Sequence, residues 1–125
     1  MTLVSRQPER LAALDVPGHR VALDLRSQKS CEDAVRAAID YAGKLDVLVN
    51  ATGVVAFGPV DELTVDAMEE LFLTNTFIPI MLAKAAFGAL AQGGVIVNIS
   101  GVIAEKNLPG MAAYGASKAA VRAFD

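Results

Sequence analysis

A chain of 125 residues suits one domain, and an apolar fraction of 54% is ample for a core. A formal net charge of −3 with no basic block argues against a nucleic-acid surface. A single cysteine, Cys31, excludes an internal disulfide and fits a reducing compartment, and a single histidine, His19, excludes a His-based triad or metal cluster.

Thr2 to Ser5 reads as a short strand, followed by a helix opened by Pro8 and Glu9, which suit the first helical turn and its positive end. Arg6, Glu9 and Arg10 arrive before any apolar h-region, so no signal peptide is expected and a cytoplasmic location is. His19 falls in the turn Pro17-Gly18-His19 and is expected at the surface. Arg20 to Leu25 gives a second strand ending at Asp24. Ser30-Cys31-Glu32-Asp33 reads as a capping box for a helix whose stripe of Ala34, Val35, Ala38, Ile39 and Ala42 predicts half burial. Leu45 to Asn50 is a third strand, running into Ala51-Thr52-Gly53.

A long helix is expected from about Thr64 to Leu90, with Thr64 as cap and Asp66 in its first turn. Met68, Leu71, Phe72, Asn75 and Leu82 follow helical spacing, so Asn75 interrupts an apolar face and needs a partner. Pro79 stands where a regular helix would supply the N–H for the Asn75 carbonyl, and it has none. The uncharged run Ala85 to Ala104 is long enough for a membrane span, but Gln92, Gly93, Gly94, Asn98 and Ser100 interrupt it. Gly93-Gly94 reads as a helix-to-strand break, and no membrane helix is expected. Val95, Ile96, Val97 and Ile99 form a buried strand, and a helix begins after Pro109-Gly110.

That last helix places Tyr114 and Lys118 one turn apart on one face. A free phenol, with a pKa of about 10, is a poor catalyst at neutral pH, and a nearby ammonium favours its phenolate. A paired Tyr and Lys can therefore move protons near neutrality. Strand and helix alternate throughout, the pattern of βαβ units and a parallel sheet whose ligands lie beyond the strand carboxyl ends. Ser5-Arg6, Asp24-Leu25, Asn50 to Gly53 and Ser100-Gly101 all fall at such ends.

Strand, about a dozen residues, then Tyr114-Gly115-Ala116-Ser117-Lys118 resembles the short-chain dehydrogenase/reductase family, and the resemblance extends over nearly the whole chain. It implies a Rossmann-like doubly wound parallel sheet. It further implies an NAD(P)-dependent oxidoreductase acting on a small-molecule carbonyl or secondary alcohol. By that resemblance Tyr114 is the general acid/base, and Lys118 lowers its pKa and holds the nicotinamide ribose. The main-chain carbonyl of Asn75 would hold a water that relays protons to Lys118. Asp24 and Leu25 would meet the adenine, and Asn50, Ala51 and Gly53 would steady the central strand beside the cofactor, with Ala51 replacing the family's second Asn. In dinucleotide folds an acidic residue at the end of the second strand binds the ribose 2′-hydroxyl, whereas an Arg suits a 2′-phosphate. Ser5 and Arg6 occupy that place, so NADP(H) is expected over NAD(H). The resemblance also implies a homo-oligomer formed through the two long helices.

Two departures stand out. The family's catalytic Ser precedes the Tyr by thirteen places, where this chain has Gly101; Ser100, one place earlier, is the remaining hydroxyl and needs a bulge to reach the same face. No Gly-rich turn precedes Arg6, and Arg122 to Asp125 carries no helix-ending Gly or Pro. The expected fold is therefore incomplete, without the first and last strands. In the order 3-2-1-4-5-6, the strands near Val4 and Val49 then share no neighbour. The alternative to an oxidoreductase is a truncated, non-catalytic remnant or association partner of one.

Overall fold

In the computed structural model of the chain, residues 1–106 and 108–124 are described; Asp125, which closes the C-terminal stretch read above, lies outside them. The chain divides into two compact units, one made of Met1–Leu48 and Met81–Ile96, the other of Val49–Ile80 and Val97–Asp125.

In the first unit, strand β1 (Thr2–Ser5) pairs in parallel with β2 (His19–Ala22), Thr2 opposite His19 and Ser5 opposite Ala22. Helix α1 (Pro8–Ala12), opened by Pro8, connects them. Its exit is held by Arg20, whose guanidinium donates to the carbonyls of Leu11 at 2.8 Å, Leu14 at 2.8 Å and Val16 at 3.0 Å. β2 stops at Ala22 rather than reaching Asp24. The Leu23 N–H still donates to the Ser5 carbonyl at 3.0 Å, but the Asp24 carboxylate then accepts the Arg26 N–H at 3.1 Å, a local turn that takes the chain out of the ladder.

Helix α2 (Gln28–Ala42) is capped by Ser27, whose Oγ accepts the Ser30 N–H at 3.1 Å. The cap thus lies three residues before the expected Ser30, which is already inside the first turn. Cys31, Ala34 and Val35 are buried, and Ala38 and Ile39 are half-buried, as the stripe predicted; Ala42 is exposed. Burial, aided by neighbouring Glu32, pushes the Cys31 thiol up to about 11. His19 is not a surface turn residue: it opens β2, is half-buried and stacks on Tyr41 with ring centroids 4.9 Å apart.

Strand β3 (Leu45–Asn50) pairs with β4 (Leu90–Asn98). Among the described residues the strands form two separate pairs, β1-β2 and β3-β4, so β1 and β3 share no neighbour, as the strand-order argument expected. The expected helix from Thr64 to Leu90 is divided into α3 (Val65–Phe72), a π turn (Leu73–Phe77) and α4 (Ile78–Phe87). Thr64 caps it as expected, its Oγ1 accepting the Ala67 N–H at 3.2 Å. The helix ends before Gly88, and Leu90 already belongs to β4, which continues through Gly93-Gly94; the break comes five residues earlier than expected. Gly93 keeps the strand going with φ of +80°, a value that a side chain would resist.

The second unit ends with α5 (Ala112–Ala123), packed against α3 and the π turn. Val65–Phe87 is long and apolar enough to cross a membrane by length and composition, yet Leu71, Asn75, Ile78, Leu82 and Ala86 form a buried stripe along it. The run Ala85 to Ala104 is the end of α4, a turn, β4 and a short 3-10 turn, not a helix.

Candidate active site

The site is built where β3 and β4 end. Asn50 closes β3 fully buried. Its Nδ2 donates to Asn98 Oδ1 at 2.7 Å and to the Pro79 carbonyl at 3.4 Å, while its own carbonyl accepts the Ile99 N–H at 2.9 Å. Side chain and main chain of one residue therefore tie the two strand ends together. Asn50 Oδ1 is buried and has no partner among the described residues.

The π turn explains how Asn75 is presented. The Ile78 N–H donates five residues back, to the Leu73 carbonyl, instead of four back to Thr74. Pro79 has no N–H to give to either Thr74 or Asn75. The Thr74 carbonyl accepts from Thr52 Oγ1 at 3.3 Å instead. The Asn75 side chain is wholly buried and clamps the loop after β3: its Oδ1 accepts the Val54 N–H at 2.8 Å and its Nδ2 donates to the Val54 carbonyl at 2.9 Å. Both ends of the amide are matched by the main-chain donor and acceptor of one residue, which fixes its orientation. The partner that the sequence demanded for Asn75 is thus Val54, together with Ser117 Oγ at 2.9 Å.

Lys118 is buried, and its ammonium donates to the Ile99 carbonyl at 3.0 Å. Burial holds its pKa below the usual lysine value. Gly53 is the cradle for this charge. A Cβ at position 53 would sit 3.4 Å from Lys118 Nζ and 3.4 Å from Asn75 Oδ1, so the lysine and the amide converge where glycine leaves the loop bare. Ala51, beside it, is exposed.

Tyr114 is half-buried one turn before Lys118 on α5. A Cβ on Gly101 would lie 4.0 Å from the Tyr114 hydroxyl and 3.7 Å from Ile103 Cγ2, both ordinary contacts. The Gly101 backbone, with φ of 179°, is extended and open to any residue. Position 101 thus faces the phenol. Ser100 is committed elsewhere: its Oγ donates to the Lys118 main-chain carbonyl at 2.8 Å. As a catalytic hydroxyl Ser100 is corrected to a bond that anchors α5. A groove of about 380 Å³ beside α5, lined by Ile103, Leu108, Met111 and Ala119, includes neither Tyr114 nor Lys118.

Asn50, Gly53, Asn75, Tyr114 and Lys118 all belong to the second unit. Arg6, Asp24 and Leu25 belong to the first: Arg6 is exposed after β1, Asp24 is exposed and paired with Arg26 at 3.7 Å, and Leu25 is buried with its carbonyl accepting from Cys31 Sγ at 3.3 Å. Sequence reasoning passed over Ser117, Thr76 and Val54, which complete the polar network. Two buried hydroxyl residues among apolar neighbours at helical spacing were the available signal.

The profile of the short chain dehydrogenase family matches residues 2–125. The L-2,3-butanediol dehydrogenase of Corynebacterium glutamicum is 30% identical over 90% of this chain and 45% of its own length. A dehydrogenase/reductase from Sinorhizobium meliloti superposes with a TM-score of 0.88 at 32% identity, covering 98% of this chain and 52% of that one. A blue fluorescent protein from a metagenomic library, solved with NADPH, does so at 0.80 and 31%, covering 96% and 52%. The chain spans about half the length of these relatives. Its fold is that of the Rossmann-type dehydrogenases, and the chain belongs to the short-chain dehydrogenase family of oxidoreductases.

Proposed function

We propose that the protein transfers hydride between a nicotinamide cofactor and a small-molecule carbonyl or secondary alcohol. Tyr114 acts as general acid/base, Lys118 as its charge partner and ribose ligand, and Asn75 as the anchor of a proton-relaying water. The observation that carries this reading is the convergence of the Lys118 ammonium and the Asn75 amide on Gly53, with Tyr114 one turn away on α5. A buried ammonium one helical turn from a phenol is an arrangement suited to acid/base work on a carbonyl oxygen.

The residues fit the cofactor. Gly53 leaves the loop after β3 bare beside Lys118 Nζ and Asn75 Oδ1, and Asn50 Oδ1, buried and without a partner among the described residues, is a polar atom at the same strand end. When bound, the nicotinamide supplies or takes the hydride. Within the second unit, Asn50, Ala51, Gly53, Tyr114 and Lys118 would hold its nicotinamide half. Arg6 and the NADPH bound by the metagenomic relative favour NADP(H) over NAD(H). The relay is supported by Pro79, which denies the Asn75 carbonyl its four-on donor.

The deciding experiment is reduction of a carbonyl panel by the native gene product, followed as NADPH or NADH oxidation, with Tyr114→Phe as control. No oxidation of either cofactor would sink the reading. A second reading, an association partner without turnover, is favoured by Gly101 and by the apolar exposure of Phe77, Ile80 and Phe87 on the long helix. The same exposure supports a homo-oligomer, which sedimentation of the native product tests. A cytoplasmic location, tested by cell fractionation, completes the proposal.

A further inference from the structure

We propose that Ser117 is a positioning residue that locks the Asn75 amide and, through it, the setting of the Lys118 ammonium; this rests on the acid/base reading of Tyr114 and Lys118. Ser117 is wholly buried between those two residues on α5. Its Oγ–H donates to the Tyr114 carbonyl at 2.8 Å, and the same oxygen accepts from Asn75 Nδ2 at 2.9 Å. Its main-chain carbonyl accepts from Thr76 Oγ1 at 3.0 Å. Two consecutive residues of the π turn therefore grip one residue of α5, Asn75 by its side chain and Thr76 by its backbone.

The amide has two Nδ2 protons, and each has one place to go. One goes to the Val54 carbonyl at 2.9 Å and the other to Ser117. Turning the amide over would set its NH2 against the Val54 N–H, which now donates to Oδ1 at 2.8 Å. Without the Ser117 oxygen the second proton is left unpaired in a site with no exposure, and the amide has reason to tilt. Oδ1 sits 3.4 Å from the Gly53 Cβ position, the same distance as Lys118 Nζ, so a tilt moves the oxygen that shares this corner with the ammonium. A serine kept only for its small size would be replaced by alanine without loss; one that holds the amide would not.

The test uses the native gene product with Ser117→Ala and, to keep side-chain size while weakening the acceptor, Ser117→Cys. Both variants are expected to lower kcat about tenfold while KM for the carbonyl substrate changes by less than about twofold, because the geometry of the reacting groups loosens and binding does not. The limb of the pH–rate profile assigned to the Tyr114-Lys118 pair shifts in both. In nitrogen-15 spectra the Asn75 side-chain amide protons are slow to exchange with solvent in the unsubstituted protein and fast in the variants. Unchanged kcat and pH profile, or an Asn75 amide that stays protected in Ser117→Ala, overturns the proposal. If the unsubstituted protein turns over no carbonyl, the acid/base reading fails, and the exchange measurement still decides whether Ser117 holds Asn75.

Discussion

The two units bury different kinds of residue. The interior of the first is apolar: Leu11, Leu25, Cys31, Ala34, Val35, Leu82, Ala83 and Ala86. Among the described residues, the second buries Asn50, Asn75, Thr76, Ser117 and Lys118 beside Leu71, Ile78, Ile103 and Val121. Burying polar groups is unfavourable unless each finds a partner, and an apolar interior of the same shape would be at least as stable. The second unit satisfies nearly all of them by cross-bonding β3, the π turn and α5. On the proposed function, the contrast implies that stability and chemistry fall to different parts of one chain. Changes in the first unit should register in melting, and changes in the second in turnover.

The sharpest break of that contrast is Tyr114→Phe, which removes one oxygen from a half-buried ring. Turnover of the native product should fall by about 10³-fold or more with little change in melting temperature, read by cofactor oxidation and calorimetry. Gly101→Ser should act in the opposite direction. The backbone is extended and the new side chain would point at the Tyr114 hydroxyl, so a second donor to the substrate oxygen raises kcat by about 10- to 100-fold. No gain would mean that the carbonyl does not sit between positions 101 and 114. In the first unit, Leu11→Ala should cost about 2–5 kcal/mol in denaturant unfolding while leaving kcat within about twofold.

A subtler test is pH. Cys31 in the first unit holds its proton up to about 11 in the folded chain, against an ordinary 9.0, so its contribution to stability is present below pH 9 and lost as pH rises from 9 to 11. Lys118 in the second has the reverse sign: its folded pKa lies below the ordinary 10.5, so the unfolded chain binds the proton more readily and stability rises with pH across the window ending at 10.5. Urea unfolding across this range should show Cys31→Ala removing a fall and Lys118→Met removing a rise. Equal slopes in the two variants would contradict the assignment of opposite burial effects.

Much of this was legible from local pattern. The alternation of strands and helices, the Thr64 cap, the half-buried α2 stripe, the buried Asn75 and the placing of Tyr114 and Lys118 on one helix all follow from spacing and residue type. What was illegible depended on contacts between distant segments. Ser27 rather than Ser30 caps α2 because only one of two nearby serines has extended backbone, which composition does not reveal. In the sequence Gly93-Gly94 is the louder breaker and points to a helix end near Leu90, whereas Gly88 ends the helix and the double glycine lies within β4. Ser100 was a candidate because its hydroxyl is one residue from the right place; its bond to Lys118 spans 18 positions of sequence. Ser117 escaped notice for the same reason, its partner Asn75 lying 42 positions away.

The π turn has a consequence for how this helix tolerates change in length. It is a phase slip of one residue: everything after Phe77 is rotated by roughly 100° around the axis relative to an uninterrupted helix. Residues before the slip and residues after it can therefore obey different neighbours while remaining on one rod. Deleting a single residue between Leu73 and Phe77 would therefore restore a regular helix with Leu82 and Ala86 still facing the interior, whereas deleting one from the regular turns of α4 would rotate every residue after it by roughly 100°. The segment is thus a store of one residue of slack, the place along this helix where a change in length leaves the buried face where it was.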